Sequence, residues 1–309
     1  MPRIRFSIQT PTEGATFADL ARHWQAAERL GYDSVWLDDH FYGVVQPPWA
    51  DSLECWTLMA ALARETSSIR FGTLVSCVNY RHPPLLAKVA SSIDHLSNGR
   101  LEFGIGAGWY EQEYTAYGYA FPPIGTRLQQ LEEALEICRL LWTEERATFA
   151  GRHFEVRAAW CNPKPLQRPY PPIMIGGGGE KTLLRLVARY ADRWNFGGSV
   201  ADFRGKLAVL DGHCRAVGRD PAAIEKSWFG TVIIEPTEER LQARLAKRAT
   251  RASTADVPGL AGTPAQIIER LRRFVDIGVT HFIAMFGRVD RLDATELFAR
   301  EVIPALRRE

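Results

Sequence analysis

Long hydrophobic runs are what this sequence most clearly lacks. No stretch approaches the roughly 18 consecutive apolar residues that a membrane-spanning helix needs. The amino terminus, MPRIRFSIQTPTEG, carries two arginines, but polar residues follow where a secretory signal would place its apolar segment. We therefore expect a cytoplasmic protein with no membrane partner.

An excess of charge of either sign is also missing. The 38 basic and 36 acidic residues leave a formal net charge of +2, so no overall field attracts nucleic acid or an anionic membrane. The five cysteines are scattered and form no C-x-x-C pair, which argues against a disulfide framework and a zinc site, and no H-x-x-x-H spacing suggests another metal centre. These absences favour a protein that acts on small molecules.

What the sequence does contain is an alternation of short β-branched or aromatic runs with longer amphipathic segments. Eight runs are predicted strands: IRFSI from Ile4, SVWL from Ser34, IRFGTLV from Ile69, LEFGI from Leu101, PIMI from Pro172, RWNF from Arg193, WFGTVII from Trp228 and HFIAM from His281. Helical patterns lie between them; in TFADLARHWQAAERLG, Thr16 and Asp19 have the spacing of a capping box and Gly31 that of a C-cap. Eight such units favour a closed (β/α)8 TIM barrel, with a parallel sheet, over an open doubly wound sheet.

We expect residues 1–309 to form a single barrel domain with two insertions. The segment from Ala147 to Pro172 is too long for a tight turn and predicts a small hairpin around Ala150 and Gly151. The segment from Lys247 to Pro264 lacks periodicity and contains small, polar, Gly and Pro residues. It is predicted to be a loop, and we expect it to act as a lid over the barrel mouth.

Four consecutive glycines, Gly176 to Gly179, follow the fifth predicted strand. A P-loop would need glycine where Glu180 precedes Lys181, and a dinucleotide fingerprint would need glycine at Lys181, so neither phosphate motif fits. A helix that begins near Glu180 would still present unpaired N–H groups to an anion, and the glycines would let the ligand approach the backbone. The alternative is a turn that only lets strand and helix pack closely.

A second strand end carries a histidine. After SVWL the chain reads Asp38, Asp39, His40. The carboxyl ends of barrel strands form the active face, where a histidine can transfer a proton near neutral pH. The alternative is that Asp39 caps the next segment while His40 satisfies a buried hydrogen bond.

A third strand end is rich in glycine and aromatic residues. The fourth predicted strand runs into Gly104, Gly106 and Gly108, and Trp109 and Tyr110 follow. The glycines can clear space for a flat ligand that aromatic rings wall in. Equally, the aromatic residues can simply pack on neighbouring loops.

Together, SVWLDDHF, IRFGTLV with YRHPPLLAKVASSIDHLSNGRLEFGIGAGW, and PPIMIGGGGEKTLLRLVARYADRWN resemble the luciferase-like monooxygenase superfamily, and within it the coenzyme F420-dependent oxidoreductases. The resemblance covers nearly the whole chain, in order. It implies a barrel with insertions, a deazaflavin or flavin bound at the carboxyl face, and commonly a homodimer.

The resemblance also implies roles for individual residues. His40 corresponds to the family's histidine beside the reactive ring and is the expected catalytic residue. The residues expected at the cofactor are Asp39, Leu74, Val75, Gly106, Gln112, Gly176, Gly177, Gly178 and Gly179. Among these, a cis peptide bond is expected between Leu74 and Val75, in a bulge behind the ring. Gln112 is expected to contact the ring or its side chain, and the four glycines to hold the phosphate.

Trp109 departs from one branch of the family. The family's sugar-phosphate dehydrogenases have an acidic proton donor at this position, so sugar-phosphate oxidation is disfavoured and Trp109 is expected to line a pocket for an apolar or aromatic substrate. The implied function is hydride transfer between F420 and a small organic substrate. One alternative is a reduced-FMN-dependent monooxygenase, to which a cofactor-reducing partner enzyme would supply reduced FMN. Another is a non-catalytic flavin-binding protein, which would not need His40.

Overall fold

The computed structural model describes residues 3–44, 46–249 and 259–307. The strands are β1 (Arg5–Thr10), β2 (Ser34–Leu37), β3 (Arg70–Thr73), β4 (Ser76–Cys77), β5 (Leu101–Gly106), β6 (Ala147–Ala150), β7 (Glu155–Ala159), β8 (Ile173–Gly176), β9 (Arg193–Phe196), β10 (Glu225–Ile234), β11 (Gly259–Gly262) and β12 (His281–Met285). The helices are α1 (Phe17–Arg29), α2 (Cys55–Glu65), α3 (Pro83–Leu96), α4 (Glu111–Ala116), α5 (Ile124–Thr143), α6 (Leu183–Tyr190), α7 (Val200–Ala216), α8 (Glu238–Ala249), α9 (Pro264–Val275) and α10 (Asp293–Arg307).

Eight of the strands form a closed parallel barrel. Its order is β1, β2, β3, β5, β8, β9, β10 and β12, and β12 pairs with β1 to close the ring. Each of the eight predicted strands overlaps one of these, so the predicted (β/α)8 barrel is confirmed. Because all eight run in the same direction, their carboxyl ends meet at one face of the barrel.

The helix ends follow the chemistry of their capping residues. The hydroxyl of Thr16 accepts a hydrogen bond from the backbone N–H of Asp19 at the start of α1, as its sequence predicts. The helix ends with Leu30 as its C-cap, and Gly31 follows with φ +77°, a left-handed conformation that favours glycine. These caps place β2 where its carboxyl end reaches the barrel mouth.

The two predicted insertions have different outcomes. β6 and β7 pair antiparallel around Gly151, which confirms the hairpin. Residues 250–258 of the predicted loop and lid lie outside the described residues. Where the segment is described the loop prediction is wrong, because α8 continues to Ala249 and Gly259–Gly262 forms β11, parallel to β10. Gly259 has no side chain, so the backbone of β11 can lie close against Thr231.

The amino end of the barrel is closed by buried ion pairs. The fully buried Glu102 lies 2.8 Å from Arg5, 2.7 Å from Arg70 and 3.0 Å from Arg193.

Within the described part of the chain, no helix is long and apolar enough to cross a membrane. The five cysteines are free and buried.

Candidate active site

A cavity of about 400 Å³ lies at the carboxyl ends of the barrel strands. The sequence-predicted residues that line it are Asp39, His40, Leu74, Val75, Gly106, Trp109, Gly176, Gly177, Gly178 and Gly179. Of the predicted site residues, only Gln112 is not among the described residues that line it. The barrel therefore brings together the ends of four strands, β2, β3, β5 and β8, that are far apart in sequence.

The floor of the cavity is a bulge after β3. The peptide bond between Leu74 and Val75 is cis, as the family resemblance predicts. A β-carbon on Gly106 would lie 2.8 Å from Cγ2 of Val75, and one on Gly176 would lie 3.1 Å from both of its methyl carbons. The glycines of β5 and β8 thus make room for the side chain of Val75, which presents an apolar surface to the cavity.

His40 is held by a buried carboxylate. Nδ1 of His40 lies 2.8 Å from Oε2 of Glu113, whose side chain is fully buried. Glu113 also accepts hydrogen bonds from the hydroxyl of Tyr80 and the backbone N–H of Phe41. His40 lines the cavity, and its second ring nitrogen, Nε2, has no hydrogen-bond partner among the described residues.

The surroundings of this pair favour its charged form. Burial lowers the pKa of His40, but the hydrogen bond to Glu113 and the negative charges of Asp38, Glu113 and Asp39 outweigh burial, so the pKa is raised above its usual value. Burial raises the pKa of Glu113, but the hydrogen bond and positive charge of His40 and the bonds from Tyr80 and Phe41 lower it overall. The pair can hold and exchange a proton near neutral pH.

Asp39 lines the cavity, but its carboxylate already has protein partners. Arg81 binds it through two nitrogens, at 2.7 and 2.9 Å, and the backbone N–H of Cys77 donates to it at 3.1 Å. Arg81 also contacts Glu54, the N-cap of α2. Asp39 therefore joins β2 to the segment after β3, and its expected place beside the cofactor stays a prediction.

Gln112 lies outside the described lining of the cavity, and its expected contact with the cofactor stays a prediction. Its exposed side chain accepts a hydrogen bond from the hydroxyl of Tyr110 at 3.1 Å. Neighbouring residues of α4 point in different directions, so Glu113 turns inward while Gln112 turns out. The inward polar residue of this helix is the one that contacts His40.

Two aromatic residues form the rim next to His40. The ring centroids of Trp109 and Tyr110 lie 5.8 and 6.0 Å from that of His40, and both pairs meet edge to face. Trp109 is 62% exposed, so its indole is available to a molecule that enters the cavity. The rim offers flat apolar surface beside a proton-carrying ring.

The glycine run forms an open backbone loop at the opposite side of the cavity. Gly177 has φ +124°, which L side chains rarely adopt, and a β-carbon on Gly178 would lie 2.5 Å from the ring of Phe196. Among the described residues, the backbone N–H groups of Gly178, Gly179 and Glu180 donate to no acceptor. α6 begins at Leu183 and not near Glu180, so these groups belong to the turn that leads into the helix.

Lys206 of α7 adds a positive charge beside this loop. Its Nζ lies 2.7 Å from the carbonyl oxygen of Gly178 and 3.3 Å from a carboxylate oxygen of Glu180. Free N–H groups and a nearby cation are the two features that an anion site needs. Sequence reasoning missed both Lys206 and Glu113. Nothing in the glycine motif indicates Lys206, which lies in another element. For Glu113, the helical periodicity of α4 could have indicated a side chain that faces inward.

The described residues hold no group of three or more His, Cys, Asp or Glu side chains that could bind a metal ion. The candidate site consists of an apolar floor, a histidine bound by a carboxylate, an aromatic rim and a glycine loop with free backbone N–H groups. This arrangement can bind a flat molecule with an anionic tail and move a proton at its reactive face.

Comparisons with known proteins agree with this geometry. Residues 3–259 match the family model described as luciferase-like monooxygenase. An uncharacterized protein of Mycobacterium tuberculosis is 33% identical over 196 residues, which cover 63% of this chain and 65% of the relative's length. An F420-dependent glucose-6-phosphate dehydrogenase of Intrasporangium calvum is 28% identical over 330 residues, covering 94% of this chain and 95% of that protein.

A solved structure has the same fold. It is an F420-dependent secondary alcohol dehydrogenase in complex with an F420-acetone adduct, with a TM-score of 0.83 and 22% identity. The match covers 98% of this chain and 99% of the other. The arrangement of strands and helices around the cavity is thus common to both proteins.

Proposed function

This chain belongs to the luciferase-like monooxygenase family, and we propose that it is an oxidoreductase that transfers a hydride between coenzyme F420 and a small organic substrate. The observation that carries the proposal is that His40, which Glu113 binds at Nδ1, lines the same cavity as the Gly176 to Gly179 loop. A proton-carrying group and an anion anchor are what such a reaction asks of the protein.

The residues of the cavity fit this cofactor. Val75 and Gly106 would lie behind the flat ring, because the glycine leaves the floor low and apolar. Gly178 and Gly179 would hold the phosphate through their free N–H groups, with Lys206 supplying positive charge. When bound, F420 supplies or accepts the hydride.

The protein's own residues supply orientation and the proton. In the direction of carbonyl reduction, the substrate carbon gains the hydride, its oxygen takes the proton from Nε2 of His40, and the C=O double bond becomes an alcohol. In this way the substrate gains the two electrons of the hydride and one proton from His40. His40 then recovers a proton from solvent. In the direction of alcohol oxidation, Nε2 of the neutral ring accepts the proton of the substrate hydroxyl.

The substrate class follows from the rim. Trp109 and Tyr110 offer flat apolar surface next to His40, which favours a substrate with apolar or aromatic character. Trp109 has no group that could donate a proton in the role of an acidic residue, so a sugar phosphate is a poorer fit. The rim thus favours a substrate different from the glucose 6-phosphate named for the dehydrogenase relative.

Binding measurements test the cofactor. The protein has nine tryptophans, including Trp109 at the cavity rim, so ligand binding can be followed by tryptophan fluorescence. We expect F420 to bind more tightly than FMN, and a deazaflavin that lacks the phosphate to bind at least tenfold more weakly, from the loss of charge-assisted hydrogen bonds worth about 1.5 to 3 kcal/mol each. Tighter binding of FMN would instead support the monooxygenase alternative.

Turnover tests the reaction. With reduced F420, aromatic ketones, aldehydes and cyclic enones should cause its oxidation without uptake of oxygen, and glucose 6-phosphate should not. His40→Ala should lower the rate by roughly 10² to 10⁴ while F420 still binds. The matched control is His153→Ala, which removes a histidine from the hairpin. If the His40 variant turns over as fast as the parent when chemistry limits the rate, His40 has only a structural role.

A homodimer and a separate enzyme that reduces the cofactor are parts of the same proposal. For repeated turnover, the cofactor must return to its starting redox state, either through a second substrate or through another enzyme. Size-exclusion chromatography with light scattering tests the dimer directly.

A further inference from the structure

His40 and Glu113 come from different elements and meet at one pair of atoms. His40 follows β2, Glu113 lies in α4, and Nδ1 and Oε2 are 2.8 Å apart. A carboxylate that accepts a hydrogen bond from one imidazole nitrogen fixes the orientation and tautomer of the ring, so the other nitrogen faces the opposite way. Here that other nitrogen is Nε2, on a ring that lines the cavity.

This inference rests on the proposed function. We propose that Glu113 is the positioning residue of the reaction: it binds Nδ1–H of His40 and thereby places on Nε2 the proton that the substrate oxygen exchanges. Glu113 acts only through His40, because its own side chain is fully buried and is not part of the cavity wall.

The balance of charge around Glu113 supports this role. Both carboxylate oxygens are satisfied, one by Phe41 N–H and the other by His40 and the hydroxyl of Tyr80. Within the described residues, Glu113 forms no ion pair with a lysine or arginine. A buried carboxylate needs a counter-charge, and the imidazolium form of His40 is the one that the fold provides.

The other charged groups near His40 are already engaged. Asp39 is paired with Arg81, so its negative charge is largely balanced. Asp38 accepts from the backbone N–H of Thr12 at 2.9 Å, and burial raises its pKa to about 6. Because the pKa of Asp38 is raised to about 6, an experiment on pH dependence must separate Asp38 from His40.

An NMR titration of protein labelled at histidine tests the proposal without any substrate. The protein has seven histidines, and the spectrum of His40→Ala identifies the signal of His40. In Glu113→Gln, which keeps the shape of the side chain but removes its charge, the pKa of His40 should fall by about one unit or more. The control Glu111→Gln removes an exposed charge from the same helix and should leave it unchanged.

The same spectra report the tautomer. In the parent, neutral His40 should carry its proton on Nδ1, and in Glu113→Gln a mixture of the two tautomers should appear, because the amide can donate as well as accept. An unchanged pKa together with an unchanged tautomer in a folded Glu113→Gln protein overturns the proposal. A role limited to holding Phe41 and α4 in place would lower the melting temperature and leave both NMR values as they are.

A second variant keeps the test decisive if Glu113→Gln does not fold. Tyr80→Phe removes one donor from Glu113, so the carboxylate becomes more basic and the pKa of His40 should rise. No rise in this variant would count against a direct coupling between Glu113 and His40.

Turnover adds a readout that depends on the reaction. Carbonyl reduction needs protonated His40, so its rate should fall as the pH rises through the pKa of His40, and in Glu113→Gln this fall should begin about one unit lower. In Asp38→Asn, the rate should fall at the same pH as in the parent if Asp38 is not the titrating group. If no substrate is reduced but the NMR shifts appear, the positioning of His40 stands and the proposed reaction fails.

Discussion

Val75 and Gly106 share the floor of the cavity because Gly106 has no side chain: a β-carbon there would lie 2.8 Å from Cγ2 of Val75. Real β-carbons essentially never come so close, so Gly106→Ala must turn or push Val75. We expect F420 affinity to fall about tenfold, since overpacking typically costs about 1 to 3 kcal/mol. Fluorescence titration measures this loss.

Gly104→Ala is the matched comparison on the same strand. Its β-carbon would overlap the carbonyl oxygen of Thr73, a backbone atom of the neighbouring strand β3, and not only a side chain. We expect a larger fall in melting temperature for Gly104→Ala than for Gly106→Ala, because a side chain can move more easily than the backbone of a neighbouring strand. If Gly106→Ala binds F420 as tightly as the parent, Val75 does not support the ring.

The glycine loop predicts a loss that depends on the phosphate. A β-carbon on Gly178 would lie 2.5 Å from Phe196 and 2.9 Å from Cε of Lys206, so Gly178→Ala or Gly178→Val must displace the loop. Affinity for F420 should fall at least tenfold, because one or two charge-assisted hydrogen bonds worth about 1.5 to 3 kcal/mol each are lost. Affinity for a deazaflavin without the phosphate should not change.

Gly205→Ala serves as its control, because a β-carbon there, in α7, would meet no atom within 4 Å. It should bind both ligands like the parent. If Gly178→Ala lowers the affinities for F420 and for the deazaflavin without the phosphate by the same factor, the phosphate does not bind at this loop.

Asp39 and Arg81 make a prediction about stability. Arg81→Met would leave the buried carboxylate of Asp39 without its partner, which typically costs about 3 to 5 kcal/mol. The double variant Asp39→Asn with Arg81→Met should recover much of this loss, because no unpaired buried charge remains; Glu54, the other partner of Arg81, is partly exposed to solvent. Denaturant unfolding measures both, and a double variant no more stable than Arg81→Met would contradict this explanation.

The parts of the site that lie within one strand and its following residues could be predicted from the sequence. His40, Val75 and Gly176 each follow a short strand pattern, and parallel strands bring such ends to one face. The family resemblance added the position of the cis bond at Leu74 and Val75. These features are local in sequence, so a local pattern can reveal them.

The contacts between elements could not be predicted in the same way. Glu113 lies 73 residues from His40, and Lys206 lies 28 residues from Gly178, so neither pairing is visible without the fold. Gln112, the polar residue of α4 that the family resemblance indicates, lies one position before Glu113, and one position in a helix changes the direction of the side chain by about 100°. β11 was missed because Gly259–Gly262 has small residues and no alternating pattern; it pairs with the longer strand β10.

The last prediction concerns Glu102, at the end of the barrel opposite the cavity. Burial raises the pKa of this carboxyl, but Arg193, Arg5, Arg70 and His281 outweigh burial and lower it to about 2. Glu102→Gln would remove the carboxylate that Arg5, Arg70 and Arg193 share and leave Arg5 and Arg193 with Glu225 alone. We expect it to lower the free energy of unfolding at pH 7 by about 3 kcal/mol.

Because the folded pKa lies below the unfolded one, the contribution of Glu102 is present above the unfolded value and is lost as the pH falls toward about 2. The difference in melting temperature between parent and Glu102→Gln should therefore shrink between about pH 4.5 and pH 2. F420 binding by the folded variant should be unchanged, since Glu102 lies at the amino end of the barrel. A pH-independent difference would mean that the substitution acts through packing and not through the charge of Glu102.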